Sequence, residues 1–339
     1  MPLHGQDNTV RRVTVIVPAL NEAPYIARCL EHLLAQDYPA QHMEILVIDG
    51  GSSDGTREIV QAYTTRTSRI RLLTNPSQRV GAALNIGLAH ATGEIVVRVD
   101  AHTFVAPDYV RQCVHYLTTE SADAVGGVLN PVGDTHTGEV IAAVLAHPLG
   151  GGPARFRHAR RAMWVDTVYL GAWRRRTLVA LGGFNASLEA NEDYELFYRL
   201  RQAGGRILCH PRIRSQTVTR PTLRALWHQY VRYGRGKAQM LHLHPRALQF
   251  RQLPAPTLVA LGMLLGGIGV FYPQARWGFA LVLGVYSLVM GVVAARLARR
   301  LGWQRWAKIW LTFWVLHWGW GIGFWTQWII CLVRRRKCM

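Results

Sequence analysis

Val96-Val97-Arg98-Val99-Asp100-Ala101-His102 is a short β-branched run that ends in an acid, one small residue and a histidine. Residues 95–99 have the composition of a strand. Asp100 falls where that strand stops, so its carboxylate is expected at the carboxyl edge of a sheet, where open α/β sheets bind their ligands. An Asp and a His two apart at such an edge can both reach one divalent ion, with the ion's other positions left to a diphosphate and water. The same seven residues also fit a strand end followed by an ordinary turn, so the surrounding chain has to decide.

Upstream the pattern repeats. Residues 13–18 read as a first buried strand, stopped by Pro18 because proline cannot continue a central strand. Residues 25–35 then place apolar side chains at helical spacing. Residues 44–49 form a second apolar run ending in Asp49, followed by the glycine-rich turn Gly50-Gly51-Ser52-Ser53-Asp54-Gly55-Thr56. Ser53 or Asp54 is placed to cap the helix that follows. Residues 70–73 are a third strand, residues 79–90 a helix, and the opening stretch the fourth strand. Strand, turn and helix repeated three times predict a parallel, doubly wound α/β sheet. Its carboxyl edge would collect Glu22, Asp49, Asp54 and Asp100. No G-x-G-x-x-G follows a strand and no G-x-x-x-x-G-K-[ST] occurs, which argues against NAD and against a P-loop kinase.

Further along, residues 124–128 read as another strand. Residues 147–153 carry three successive glycines, expected as a mobile loop that is either a lid or plain surface. Residues 168–176 read as a strand ending beside three arginines. Asn191-Glu192-Asp193-Tyr194-Glu195-Leu196 opens a helix to Gln202, and acids in that position are first explained as caps and dipole partners.

Charge divides the 339 residues unevenly. All 20 Asp and Glu lie at or before Glu195, and 22 of the 39 Lys and Arg follow it. A near-neutral head is thus joined to a basic, tryptophan-rich tail. Such a tail suits nucleic acid or anionic lipid, and its long apolar runs favour lipid. The polar first 12 residues lack the apolar core of a signal peptide, so the head is expected in the cytosol. Five scattered cysteines without C-x-x-C spacing support neither a zinc knuckle nor a disulfide framework, and reduced thiols are expected.

Residues 223–243 mix Trp227, Tyr230 and Tyr233 with Arg224, Arg232, Arg235 and Lys237, the composition of an interfacial helix. Uncharged runs follow at 257–272, 277–295 and 309–333. The first two fit a hairpin with its basic loop in the cytosol. The third is long enough to span once, but that would put Arg334-Arg335-Arg336-Lys337 outside, against the positive-inside rule. Gly319, Gly321 and Gly323 offer the alternative of a re-entrant segment; length favours the single span.

Four of these motifs together resemble family 2 glycosyltransferases: Val15-Ile16-Val17-Pro18-Ala19-Leu20-Asn21-Glu22, residues 49–56, Asp100-Ala101-His102 and Asn191-Glu192-Asp193. Arg174-Arg175-Arg176 and Tyr233-Gly234-Arg235-Gly236-Lys237 are similar to the succinoglycan and exopolysaccharide glucosyltransferase branch of that family. The resemblance implies a GT-A fold, a Rossmann-like and mostly parallel α/β sheet, over residues 1–220. A basic interfacial helical segment at 221–252 and a membrane region with about three hydrophobic segments at 253–339 would follow it. Donor binding would fall to Pro18, Ala19, Glu22, Asp49, Asp54, Arg79 and Asp100, with Asp49 accepting from the uracil N–H. Asp100 and His102 would hold a divalent cation, Mn²⁺ or Mg²⁺; the family's usual pattern is D-x-D, so this D-x-H site has one negative charge fewer. Asp193, beside Glu192, would be the catalytic base, and Gly171, Ala172, Gln229 and Arg232 would meet the acceptor or the diphosphate.

The activity so implied is inverting transfer of a hexose, glucose from UDP-glucose, to a polyprenyl-diphosphate-linked saccharide acceptor. It would take place at the cytoplasmic face of a bacterial inner membrane, with membrane lipid and no nucleic acid as partner. Two alternatives are a polyprenyl-phosphate glycosyltransferase and a non-catalytic GT-A-fold membrane binding protein.

Overall fold

The structure is a computed structural model and describes residues 10–152 and 154–333. The chain divides into two compact units, the first made of Met1–Leu129, Ala159–Ala186 and Asp193–Ser215, the second of Asn130–His158, Ser187–Glu192 and Gln216–Met339.

The first unit is organised by strands β1 (Val13–Ala19), β2 (Met43–Asp49), β3 (Ile70–Thr74) and β4 (Ile95–Arg98). They alternate with helices α1 (Ala23–Leu34), α2 (Thr56–Arg66) and α3 (Val80–His90). The order β3-β2-β1-β4 is parallel throughout. Val15, Ile16, Val17, Ile45, Leu46, Val47 and Val97 are fully buried, which is why these strands read as continuous apolar runs rather than alternating ones.

Beyond β4 the sheet changes character. After β5 (Thr103–Val105) and α4 (Tyr109–Thr119) come β6 (Ala124–Val132), α5 (His136–Ala146), α6 (Pro148–Gly151), β7 (Met163–Trp164), β8 (Tyr169–Arg174), α7 (Arg175–Ala180), α8 (Glu192–Gln202) and β9 (Ile207–Val218). The full order is β3-β2-β1-β4-β8-β6-β9-β5, with β7 on β9. β8 runs antiparallel to both its neighbours, so the parallel run of the sheet ends at β4 and the sheet is mixed.

Pro18 does not stop β1. The strand continues to Ala19, with Pro18 opposite Ile48 and Ala19 opposite Asp49. The reason is local: β4 pairs with β1 only as far as Ile16–Arg98, so no ladder bond on that side is lost to the missing N–H. Cys29, Cys113 and Cys209 are free, as expected, and buried.

The second unit contains α5, α6, α9 (Leu223–Leu243), α10 (Pro254–Phe271), α11 (Pro273–Leu301) and α12 (Trp306–Val333). Its core joins Val140, Ile141 and Val144 of α5 to Leu226 of α9, Ala294 of α11 and Phe313 of α12. α10 and α11 are long and apolar enough to cross a membrane. Leu264, Val270, Phe271, Trp277, Leu281 and Leu288 are exposed on them.

α12 is one unbroken helix of 28 residues, about 42 Å long, without the break expected of a re-entrant segment, but it is not among the two described helices that are apolar enough to cross a membrane, where three such segments are expected from the sequence. Its glycines serve close packing instead. A Cβ on Gly323 would lie 2.1 Å from the Val231 carbonyl oxygen of α9, and one on Gly321 2.6 Å from that of Ala255 on α10. Two of the three glycines at 150–152 are not in an open loop either; Gly152 follows the helix at φ 82° with open space at its Cβ position. Gly150 and Gly151 sit in α6, where a Cβ would strike the backbone oxygens of Val144 and Leu145, and the His147 side chain caps that turn by accepting from Leu149 N–H. Pro153 and the four basic residues 334–337 lie outside the described residues.

Candidate active site

β1 is the strand from which connections leave in both directions, so the crevice at its carboxyl end is the switch point of the parallel half. Ala19, Asp49 and Asp100 all lie at this edge. The two loops that frame it are joined by polar bonds. Asn21 takes a left-handed conformation (φ 54°), which Asn tolerates, and its N–H donates to Ser52 Oγ at 2.9 Å while its side-chain oxygen accepts from Ser53 N–H at 2.9 Å. Asp54 accepts from Ala23 N–H at 3.0 Å and from the Thr56 hydroxyl at 2.6 Å, and so caps α1 from the neighbouring loop. Burial would raise the Asp54 carboxyl, but these hydrogen bonds outweigh it and hold it below its ordinary value. Thr56 Oγ1 in turn accepts from Glu22 N–H at 2.8 Å.

Asp49 is turned under its own loop, 1% exposed. Its oxygens accept from Gly51 N–H (3.1 Å) and Ser52 N–H (3.2 Å), and Arg57 stands 3.5 Å away. The carboxylate therefore first holds the glycine turn in shape; a base N–H would have to share Oδ1, which carries fewer of these bonds. Arg79 stands at the start of α3, its guanidinium donating to the Ala186 carbonyl at 3.3 Å.

The opening stretch ends in a tight turn. Thr103 N–H donates to the Asp100 carbonyl at 2.8 Å, which puts Asp100 and His102 on one turn, with Ala101 buried between them. Arg98 Nε donates to Asp100 Oδ1 at 2.8 Å, and the Tyr169 hydroxyl lies 3.4 Å from Oδ2. Burial works to raise the Asp100 carboxyl. The Arg98 charge, then His102 and the two hydrogen bonds, more than offset it, so Asp100 is held below the usual carboxylate range and is ionised at neutral pH. His102 Nδ1 lies 2.9 Å from Glu22 Oε1.

These residues suit a cation that also binds a diphosphate. Asp100 offers Oδ2, whose one contact is long, and His102 offers Nε2. Among the described residues no three His, Cys, Asp or Glu side chains form a metal cluster, so the chain's own share would be two ligands. One oxygen and one imidazole nitrogen favour Mn²⁺ over Mg²⁺.

Tyr169 carries no motif and gives no signal in the sequence; it reaches Asp100 through an irregularity in β8. Ala172 pairs with Val125 and Tyr169 with Gly127, so Leu170 and Gly171 together oppose Gly126. Both have positive φ (61° and 114°), and Leu170, fully buried, is a strained exception to the usual glycine or asparagine there. The extra residue swings the Tyr169 hydroxyl to within 2.9 Å of Thr103 Oγ1 as well as towards Asp100. Gly171 lies in this bulge, where a Cβ would meet the Trp173 ring at 2.5 Å. Ala172 is fully buried between β4 and β6, so its side chain does not face a ligand.

Asn191 (φ 67°) turns the chain into α8. Glu192 is 6% exposed, whereas Asp193 is half-buried and accepts from Tyr194 N–H at 2.7 Å. Glu195 is taken up by Arg199 (2.8 Å), a pair that binds the chain around Gly183. Gln229 and Arg232 belong to the second unit. Gln229 Nε2 donates to the Tyr233 hydroxyl at 2.8 Å, and Arg232 is exposed. In the neighbouring glycine-rich motif, Gly234 closes on the Trp320 carbonyl, Gly236 on that of Ala190, and buried Lys237 donates to the Ala247 carbonyl at 3.3 Å. That motif is accordingly a packing feature.

Residues 14–148 match the family model for glycosyl transferase family 2. The succinoglycan biosynthesis protein ExoA of Rhizobium meliloti is 31% identical over 92% of this chain and 94% of its own length. A dolichyl N-acetyl-α-D-glucosaminyl phosphate 3-β-D-2,3-diacetamido-2,3-dideoxy-β-D-glucuronosyltransferase of Methanococcus voltae is 26% identical over 68% of this chain and 74% of that one. Among solved structures, the mannosyltransferase PcManGT of Pyrobaculum calidifontis, in complex with GDP-Man and Mn²⁺, superposes over 95% of this chain and 88% of that chain with a TM-score of 0.60 at 24% identity, a likeness of fold. With the parallel half-sheet, its carboxyl-edge acids and these relatives in agreement, the chain belongs to glycosyl transferase family 2 and has the GT-A fold.

Proposed function

We propose that the protein is a membrane-bound inverting glycosyltransferase of exopolysaccharide biosynthesis. It moves a hexose, glucose from UDP-glucose, to a polyprenyl-diphosphate-linked saccharide on the cytoplasmic face of the inner membrane. The observation that carries the reading is the Asp100–His102 turn at the switch point of the parallel sheet, in one chain with two apolar helices of membrane length. The name of the Rhizobium meliloti relative supports the pathway. Residues 1–220 hold the donor site, residues 221–252 lie at the membrane surface, and residues 253–339 anchor the chain.

In the reaction the acceptor hydroxyl oxygen attacks the anomeric carbon from the side opposite the diphosphate. The C1–O bond to the β-phosphate breaks, and its electron pair leaves on UDP. Asp193, the half-exposed acid of the Glu192–Asp193 pair, takes the hydroxyl proton. Inversion follows from a single displacement. Pro18, Ala19 and the loop framed by Asp49 and Asp54 receive the nucleoside, and Arg79 the ribose side. Asp100 and His102 would hold a divalent cation, which when bound neutralises charge on the diphosphate. Gly171 would line the acceptor side, and Gln229 and Arg232 would meet the anionic acceptor.

The test is transfer in membranes given lipid extract and a panel of UDP-sugars. Wild type is expected to label lipid-linked saccharide from UDP-glucose. Asp193→Asn should lose about 10²-fold or more in transfer while UDP binding persists. Undiminished turnover in that variant would remove Asp193 as the base. Label on the bare polyprenyl phosphate would identify the acceptor as the lipid itself.

A further inference from the structure

We infer that Glu22 is a positioning residue for His102: it fixes the imidazole with Nε2 free for a divalent cation, and supplies the negative charge that the D-x-H site lacks beside a D-x-D site. The inference rests on the donor and cation reading given above, and concerns a residue that would otherwise be assigned only to the nucleoside.

The geometry is specific. His102 Nδ1 and Glu22 Oε1 are 2.9 Å apart, in side chains only 20% and 14% exposed. An ionised carboxylate only accepts, so the Nδ1 facing it is placed to carry the proton, and in the neutral tautomer so favoured Nε2 keeps its lone pair. A ligating imidazole ordinarily gives its second ring N–H to a carboxylate in this way, which fixes the ring and makes the ligating nitrogen more basic.

Glu22 is held where this requires. Its N–H donates to Thr56 Oγ1 at 2.8 Å, and its carbonyl accepts from Tyr25 and Ile26 N–H at 2.9 Å. It occupies the N-cap position of α1, but its side chain makes no cap bond. Asp54, from the next loop, takes Ala23 N–H instead. The carboxylate of Glu22 is thereby released to His102. The glycine turn, the Asn21–Ser53 bond and the Asp54 cap thus acquire a common consequence, because together they keep one carboxylate aimed at one imidazole.

The test is Mn²⁺ binding by the full chain in detergent micelles with UDP present, read from the EPR signal of free Mn²⁺, with UDP binding in EDTA measured alongside. Glu22→Ala should weaken Mn²⁺ binding about 10–100-fold. Glu22→Gln, which keeps an acceptor oxygen but no charge, should weaken it by a smaller factor. Any loss of UDP affinity in EDTA should be smaller than the loss of Mn²⁺ affinity in either variant, which separates a nucleoside contact of Glu22 from its effect on the cation. In a His102→Asp background, where no tautomer needs fixing, Glu22→Ala should no longer weaken Mn²⁺ binding. Wild-type Mn²⁺ affinity in Glu22→Ala, beside a clear loss in His102→Ala, would overturn the inference. So would an equal loss of UDP affinity in EDTA, or an undiminished Glu22→Ala effect in the His102→Asp background. Wild-type Mn²⁺ affinity in His102→Ala would instead remove the cation assignment, and the inference with it. If Glu22→Ala fails to fold, the isosteric Glu22→Gln, with and without His102→Asp, carries the same comparison.

Discussion

Replacing Gly234 or Gly323 by alanine tests the packing of α9 on α12 most directly. A Cβ on Gly234 would stand 2.0 Å from the Trp320 carbonyl oxygen and 2.7 Å from Phe324 N; one on Gly323 would stand 2.1 Å from the Val231 oxygen. Ordinary contact begins near 3.4 Å, so either methyl requires the helices to part by more than about 1 Å. Each clash is with backbone, which no rotamer change relieves. Overpacking of this kind costs about 1–3 kcal/mol, with the upper end expected here, and the better helix propensity of alanine returns about 1 kcal/mol. The net loss is about 2 kcal/mol for each variant, or roughly 4–8 °C in the melting midpoint at the usual scaling for a unit of this size. Gly266→Ala on α10 is the control, because nothing lies within 4 Å of its Cβ position; it should be neutral or slightly stabilising. The assay is thermal unfolding of the detergent-solubilised protein, followed by tryptophan fluorescence. Melting of Gly234→Ala and Gly323→Ala within a degree of Gly266→Ala would refute the close approach of the two helices.

Asp54→Ala removes the acceptor for Ala23 and Thr56 N–H, and should cost about 1–3 kcal/mol in thermal or denaturant unfolding. Because the folded Asp54 carboxyl lies below its unfolded value, its contribution is present above about pH 4 and fades as the pH falls through the folded value. Wild type and Asp54→Ala should therefore converge in stability in acid, and a gap that persists to pH 2 would contradict the cap. Gly171→Ala combines a positive-φ penalty with a clash against Trp173, together about 2–5 kcal/mol. It should lower the melting midpoint and, by displacing Tyr169, reduce turnover more than UDP binding; equal loss of both would place the bulge's role elsewhere.

What the chain determined locally is the parallel half of the sheet. β1, β2 and β4 are buried on both faces, so each is a largely continuous apolar run; β3, at the sheet edge, exposes Arg71 and Thr74; and the helices between them show their own periodicity. Asp49 and Asp100 were legible as edge residues for the same reason: a carboxylate directly after an apolar run falls where the strand ends. The division of charge at Glu195 and the uncharged runs beyond it likewise lie in the order of residues alone.

Only the tertiary structure decided who meets whom. Pro18 stays in β1 because β4 stops short of it. Asp54 caps α1 rather than only its own helix, and Glu22, so released, faces His102 across 80 residues of sequence. Tyr169 reaches Asp100 by a bulge in a strand that inserts antiparallel beside β4, a pairing that no local pattern encodes. The glycines of α12 looked like places to bend and are instead places where another backbone comes close, since absence of a side chain permits either. Periodicity and strand ends are properties of neighbours in sequence, whereas hydrogen-bond partners and close approaches depend on which distant segments the fold brings together.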